Sequence, residues 1–328
     1  MRPFRYVRAS DPMAAARAVA ANPHATFLAG GTNLLDLMKE DVEHPSELVD
    51  LTRLKLTQIK ASRGGVSIGA LAKNTDTANH PLIRRDYPLL AQAIVAGASG
   101  QLRNMATNGG NLLQRTRCPY FYDTAMPCNK REPGTGCGAF EGLNRMHAIL
   151  GWSEKCVATY PGDMANALYA LDAVVTVRGA DGRERTIRID DFHRLPDDTP
   201  ERDTNLQHGD LVTTIELPRS KLAKHSYYLK VRDRASYAFA LVAVAAALEL
   251  DGNTIRQSRV VLGGVAHKPW RSREAEAALA GKPASEASFR QAAEVALRDA
   301  QPLAHNAFKV ELGKRVIVRA LMRASRLV

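Results

Sequence analysis

The chain predicts an α+β protein in three sections, and three observations lead there. Near the start, short apolar runs alternate with helical periodicity. In the middle, short strands of alternating polarity surround a glycine-bounded hairpin. Towards the end, three strand-like runs come first and three amphipathic helices follow, the order expected of an antiparallel sheet backed by helices. Section one (residues 1–55) reads as helix Asp11–Ala21 opened by Ser10-Asp11-Pro12, strand Thr26–Ala29, a glycine turn, helix Asn33–Lys39 and strand Leu48–Leu51. Section two (56–218) carries strands Gly65–Gly69, Ala173–Arg178, Glu184–Ile189 and Leu211–Leu217, with the turn Gly179-Ala180-Asp181-Gly182 as its clearest local signal. Section three (219–328) opens with strands Ser226–Arg232, Ala238–Glu249 and Ile255–Gly263, a three-stranded sheet. It then turns helical over Ser272–Leu279, Glu286–Ala300 and Ala307–Ala324. No repeat of domain size interrupts this order.

Composition narrows the class. At 328 residues, 45% hydrophobic and 24% charged, the chain is long enough to bury an ordinary globular core. Its longest apolar run, Ala238 to Leu248, is too short for a membrane span and reads as a buried strand. The N-terminus shows no apolar export signal, so the chain carries none of its own. A net charge of +11 would suit nucleic acid, but the basic residues are scattered singly and no basic-aromatic stripe occurs. Solvated surface, an acidic partner or an anionic cofactor fits that distribution better.

All four cysteines, Cys118, Cys128, Cys137 and Cys156, fall within 39 residues, in a loop rich in Pro and Gly. Four thiolates form the full ligand set of a [4Fe–4S] cluster or of a structural zinc. Small zinc folds usually hold two ligands two to four residues apart, and no such pair exists here. The gaps of nine, eight and eighteen residues favour the larger cluster. Four unrelated buried thiols would not explain why cysteine occurs nowhere else; two disulfides stay open, though a chain this long buries an adequate core without them and shows no secretory signal.

Two glycine pairs share a second plan. Ala29-Gly30-Gly31-Thr32-Asn33-Leu34-Leu35 and Thr107-Asn108-Gly109-Gly110-Asn111-Leu112-Leu113 each place a polar residue and a Leu-Leu pair after Gly-Gly. Paired glycines expose consecutive N–H groups to an anion, and a helix starting beside them adds its positive end. Two loops of one design read as opposite jaws on a diphosphate, against the plainer reading of two ordinary turns. Neither fits the Rossmann or P-loop spacing.

Taken in order, Ala29 to Leu34, Arg103-Asn104-Met105-Ala106-Thr107-Asn108-Gly109-Gly110-Asn111, Gly162-Asp163-Met164-Ala165-Asn166-Ala167-Leu168 and Lys230-Val231-Arg232-Asp233-Arg234-Ala235-Ser236-Tyr237 resemble the FAD-binding subunits of the molybdenum hydroxylases. That family includes xanthine dehydrogenases, carbon monoxide dehydrogenases and aldehyde oxidoreductases, and the likeness runs over nearly the whole chain. The cysteine loop, about residues 115–160, is missing from the commonest members. It resembles the insertion in periplasmic aldehyde oxidoreductases and 4-hydroxybenzoyl-CoA reductases, the run Thr116-Arg117-Cys118-Pro119-Tyr120-Phe121-Tyr122 being closer to the former.

The resemblance implies a two-part FAD-binding domain of the vanillyl-alcohol-oxidase/molybdenum-hydroxylase type, plus a C-terminal antiparallel sheet with helices. It implies noncovalent FAD held by Ala29, Gly30, Gly31, Thr32, Asn33 and Leu34 on one side and by Thr107, Gly110 and Asn111 on the other. Asp163 would bind a sugar hydroxyl of the cofactor, and Lys230 would lie near the flavin, where a cation favours the reduced ring. Without the family, Asp163 reads as the N-cap of a helix beginning at Met164, and Lys230 as a solvent lysine at a strand edge. Cys118, Cys128, Cys137 and Cys156 would ligate a [4Fe–4S] cluster.

The implied activity is electron transfer within a heterotrimer or its dimer. A large subunit would hold the molybdenum cofactor and perform aldehyde oxidation, so no catalytic residue for that step is expected here. A small subunit with two [2Fe–2S] clusters would relay electrons, and FAD would pass them to an external acceptor. Rival readings are a subunit of a 4-hydroxybenzoyl-CoA reductase-like or xanthine dehydrogenase-like enzyme and, in a different class, a zinc-stabilised binding protein. The expected compartment is the cytoplasm, or the periplasm by co-export with a partner bearing a twin-arginine signal.

Overall fold

The computed structural model describes residues 1–326 and builds the chain on three sheets. Strands β1 (Arg5–Arg8), β2 (Ala25–Leu28) and β3 (Glu47–Asp50) form a parallel sheet in the order β1-β3-β2. The sequence reading missed β1, whose residues Arg5, Tyr6 and Arg8 are exposed and give no apolar signal. Pairing with buried β3 makes it a strand. The preceding turn and helix Pro12–Ala20 are set by Asp11, whose carboxylate accepts from the N–H groups of Met13 and Ala14 at 2.9 Å.

The second sheet is antiparallel, ordered β4-β5-β8-β6-β7, from β4 (Ile59–Ser62), β5 (Gly65–Gly69), β6 (Val174–Arg178), β7 (Glu184–Arg188) and β8 (Leu211–Pro218). Between β5 and β6 the chain leaves the sheet for a run of short helices, the cysteine loop and helix Asp163–Ala170. That helix is buried along its whole length against Leu90, Ala93 and Tyr228 in the largest core cluster.

The third sheet has four strands, β12-β11-β10-β9, from β9 (His225–Val231), β10 (Val242–Asp251), β11 (Thr254–Gly263) and β12 (Trp270–Arg271). The three expected strands gain a short edge, because Trp270 and Arg271 pair with Leu262 and Val261. β10 begins at Val242 rather than at Ala238. Its ladder with β9 closes at Val242–Val231, and residues 232–241 are the connection between the two strands. Helices Arg273–Leu279, Glu286–Ala296 and Phe308–Ala324 cover one face. The second of these stops at Ala296, earlier than its apolar spacing suggested, with Leu297 as its C-cap. Val242, Val244, Leu248, Val260 and Leu262 of the sheet meet Phe289, Ile317 and Leu321 of the helices, all wholly buried. Each such side chain contributes about 1.5–3 kcal/mol of transfer free energy.

Candidate functional site

Both glycine segments open onto one cleft of about 580 Å³, lined by Ala29, Gly30, Gly31, Thr32, Asn33 and Leu34 from one side and by Thr107, Gly109 and Gly110 from the other. They touch directly. A Cβ at Gly30 would lie 2.2 Å from the Met105 carbonyl oxygen, so only glycine lets the first segment reach the second. Gly31 takes φ +71°, a left-handed turn that sends the chain into helix Leu34–Lys39.

The N–H groups of residues 30–34 donate to no protein acceptor among the described residues. Five consecutive amides free beside the start of a helix form a concave donor surface that suits a diphosphate. The second segment is built differently. Gly109 and Gly110 lie inside helix Asn108–Leu112 rather than in a turn before it, which corrects the expectation of two like turns. Its amides are taken up: Asn108 and Gly109 donate to Ala72 and Ala70 carbonyls at 3.0 and 2.8 Å, Gly110 to Thr107 Oγ1 and Asn111 to the Thr107 carbonyl. What it offers the cleft is a surface without Cβ atoms and the Thr107 hydroxyl, whose proton is not used by the Gly110 contact. The Asn111 side chain points away from the cleft lining and donates to Asn74 Oδ1 at 3.0 Å.

This second segment is held from behind by buried groups that the sequence did not single out. His193 Nε2 lies 2.9 Å from the Leu112 carbonyl, and the Tyr160 hydroxyl 3.1 Å from that of Asn111. Burial pushes the His193 imidazole down to about 4, so the ring is neutral. Nε2 therefore donates to Leu112, leaving Nδ1 to accept from the Tyr169 hydroxyl at 3.3 Å.

Asp163 is not the helix cap expected of it. Gly162 precedes the helix, and the Asp163 carboxylate instead accepts from the Tyr228 hydroxyl at 2.6 Å and from Lys230 Nζ at 2.7 Å. The Lys230 side chain is 4% exposed, which removes the reading of a solvent lysine. It also donates to the Ala96 carbonyl. Asp163 lines a second cavity, of about 130 Å³, together with Asn166, Tyr160, Arg117, His147 and Cys118. Asn166 Oδ1, buried there, has no hydrogen-bond partner among the described residues. The acidic residue and the first cysteine thus share one small chamber.

The four thiols are free. Cys128 and Cys137 face each other across an antiparallel bridge, and Cys156 closes a tight turn with Ser153. Burial pushes the Cys118 and Cys156 thiols up to about 12 and raises Cys137 as well. Neighbouring thiols add to this: Cys156 and Cys128 raise Cys118, and Cys137 and Cys128 raise Cys156. Burial keeps these thiols neutral, and only a cationic group bound among them would stabilise them as thiolates. Among the described residues no three His, Cys, Asp or Glu side chains converge on a point that would hold a single ion, a geometry unlike that of a mononuclear zinc site. Cys128 and Phe121 pack on Leu37 of the helix that follows the first glycine segment.

Arg115 escaped the sequence reading, although it stands only four residues past Asn111. It lines the large cleft, and its backbone N–H donates to Asn33 Oδ1 at 2.9 Å. A lone arginine carries no signal until its partners, distant in sequence, are known.

Comparison with known proteins accords with this geometry. The family described as "FAD binding domain in molybdopterin dehydrogenase" matches residues 2–220, and "CO dehydrogenase flavoprotein C-terminal domain" matches 227–324. The chain is 50% identical over 325 residues to the aldehyde oxidoreductase FAD-binding subunit PaoB of Escherichia coli, covering 99% of each chain. It is 31% identical over 280 residues to the glyceraldehyde dehydrogenase medium chain of Sulfolobus acidocaldarius, covering 85% of this chain and 82% of that one. Among solved structures, a chain of carbon monoxide dehydrogenase from Hydrogenophaga pseudoflava superposes with a TM-score of 0.78 at 24% identity, over 99% of this chain and 98% of that one. The α+β architecture with its C-terminal antiparallel sheet and helices is therefore that of the carbon monoxide dehydrogenase medium chain. The free amides of residues 30–34, the cleft between the glycine segments and these matches lead to one assignment: the chain belongs to the FAD-binding subunits of the molybdopterin dehydrogenase family.

Proposed function

We propose that this chain is the FAD-binding, electron-transfer subunit of a molybdenum-dependent aldehyde oxidoreductase, and that Cys118, Cys128, Cys137 and Cys156 ligate a [4Fe–4S] cluster beside the flavin. The observation that carries the first part is the single cleft with five free amides, in a chain 50% identical over its length to an aldehyde oxidoreductase subunit. Four free cysteines in one loop, two of them buried and two facing each other across a bridge, support the second.

Residues 1–55 and 56–218 would close on the cofactor, with residues 219–328 supplying Lys230. Amides of residues 30–34 bind the diphosphate, while Thr107 and the Cβ-free face of Gly110 bound it opposite. Asn111 acts through Asn74, holding the second segment in place. Asp163, fixed by Tyr228 and Lys230, presents a carboxylate oxygen to a sugar hydroxyl, and Lys230 places positive charge in the same region. Bound FAD supplies the exchange between one-electron iron–sulfur carriers and a two-electron acceptor. Partner subunits would hold the molybdenum cofactor and two [2Fe–2S] clusters. No helix among the described residues is long and apolar enough to cross a membrane. Co-export with a twin-arginine-bearing partner would bring such a complex to the periplasm.

The test uses the intact complex. We expect one FAD per copy of this chain and bleaching of the flavin by benzaldehyde but not by an aromatic CoA thioester. Cys128→Ser should lower iron by about four per chain, the content of one cubane cluster. Unchanged iron and unchanged low-temperature EPR in that variant would overturn the cluster assignment, and absence of FAD from the parent would overturn the whole reading.

A further inference from the structure

A charged chain runs through the protein between the dinucleotide cleft and the cysteine loop, and its central member comes from far away in sequence. Arg115, at the cleft wall, donates from Nε to Asp203 Oδ2 at 2.9 Å, from Nη1 to Glu43 and from Nη2 to the Glu201 carbonyl at 3.2 Å. The other oxygen of Asp203 accepts from Lys130 Nζ at 2.5 Å. Lys130 is 2% exposed, and among the described residues its only other partner is the Pro200 carbonyl. A buried ammonium with a single counter-ion cannot let that carboxylate go without a large desolvation cost.

Lys130 stands at the heart of the cysteine loop. It lies two residues after Cys128 and next to Asn129, which shapes the hairpin. Asn129 Oδ1 accepts from the N–H groups of Gly134 and Gly136 at 3.0 and 2.9 Å, and Nδ2 donates to the Lys155 carbonyl beside Cys156. Three of the four cysteines are therefore placed by the backbone that Lys130 anchors. At the other end, Arg115 bonds to Asn33 through its N–H and to Glu43 through its side chain, both at the first glycine segment or just past the helix that follows it.

We propose that Asp203 is a positioning residue that makes occupancy of the cleft and order of the cysteine loop depend on one another, through Arg115 on one oxygen and Lys130 on the other. Such coupling is reciprocal: a ligand that fixes Arg115 tightens the loop, and a filled loop tightens the cleft. The inference rests on the cleft being the FAD site, but not on any metal in the loop.

The experiment takes the purified complex, stripped of metal by a chelator after mild oxidation and re-reduced, with FAD removed or restored. Alkylation of Cys128 and Cys156 by iodoacetamide is followed by peptide mass spectrometry. In the parent, FAD should slow alkylation by about 5-fold or more, the lower range of ordinary coupling. In Asp203→Asn that dependence on FAD should vanish. Should this variant fail to fold, Lys130→Met keeps the Arg115–Asp203 pair; it should still bind FAD, seen by quenching of flavin fluorescence, yet show no protection of the two cysteines. Undiminished protection in Lys130→Met, or none in the parent with FAD bound, overturns the proposal. Failure of the parent to bind FAD at all shows separately, as unquenched fluorescence, and overturns the cleft assignment together with the coupling.

Discussion

In the first glycine segment the amides of residues 30–34 have no protein partners among the described residues, whereas in the second those of Asn108, Gly109, Gly110 and Asn111 are all taken up inside the chain. The dipeptide is the same. What differs is the structure behind it: a left-handed turn at Gly31 in one case, a short helix fastened to Ala70 and Ala72 in the other. The first segment can bind an anion through its backbone; the second offers only the Thr107 hydroxyl and a surface without Cβ atoms. Glycine is needed at Gly30 because another backbone stands where its side chain would be, and at Gly110 because the cleft does.

The largest way to break this comparison is Gly30→Val. Its Cβ would meet the Met105 carbonyl at 2.2 Å and drive the two segments apart. We expect loss of FAD retention together with a destabilisation of about 3 kcal/mol, the upper range for overpacking, measured by urea unfolding of the FAD-free protein. Wild-type stability in that variant would show that the close approach does not matter.

A second test loosens only the second segment, through acid. Folded His193 titrates near 4 and an unfolded histidine near 6.5. Between these values the unfolded chain binds the additional proton. The His193 contribution is thus fully present above pH 6.5 and is lost as the pH falls to 4, on the order of 3 kcal/mol in all. Comparing unfolding at pH 7 and 4.5 for the parent and His193→Gln should show a smaller loss in the variant. Equal losses would mean that His193 is not the group that titrates.

The smallest effect belongs to Gly110→Ala. A methyl there meets only Thr107 Oγ1, at 2.9 Å, so stability should change by about 1 kcal/mol or less. FAD affinity should fall more than stability does, by about 10-fold or about 1.4 kcal/mol. A titration of the FAD-free complex gives the ratio. An unaltered affinity would place the diphosphate against the first segment alone.

Much of the fold was legible because local rules and burial agree. Strand β5 over Gly65–Gly69 and helix Arg273–Leu279 lie within a residue of where alternation and helical spacing put them, and the Gly179–Gly182 turn joins β6 to β7 as read. Strand β1 was invisible because an edge strand with an exposed face has no apolar pattern, and β12 because two residues are too few to carry one. At the site, Gly30 to Leu34 and the cysteines announced themselves by composition. Lys130, Asp203 and His193 did not, since a buried charge or imidazole looks in sequence like any surface residue until its partner is brought to it.

The sequence by itself determined most of the longer elements, the cysteine-rich loop and the glycine segments, because periodicity, capping and residue type act over a few neighbours. Only the tertiary structure decided which amides stay free, that Asp163 pairs with Lys230 rather than capping its helix, and that Arg115, Asp203 and Lys130 form one chain. Those outcomes depend on groups tens of residues apart meeting where water is excluded. There a hydrogen bond or a counter-charge becomes worth several times what it is in solvent, and no local pattern records it.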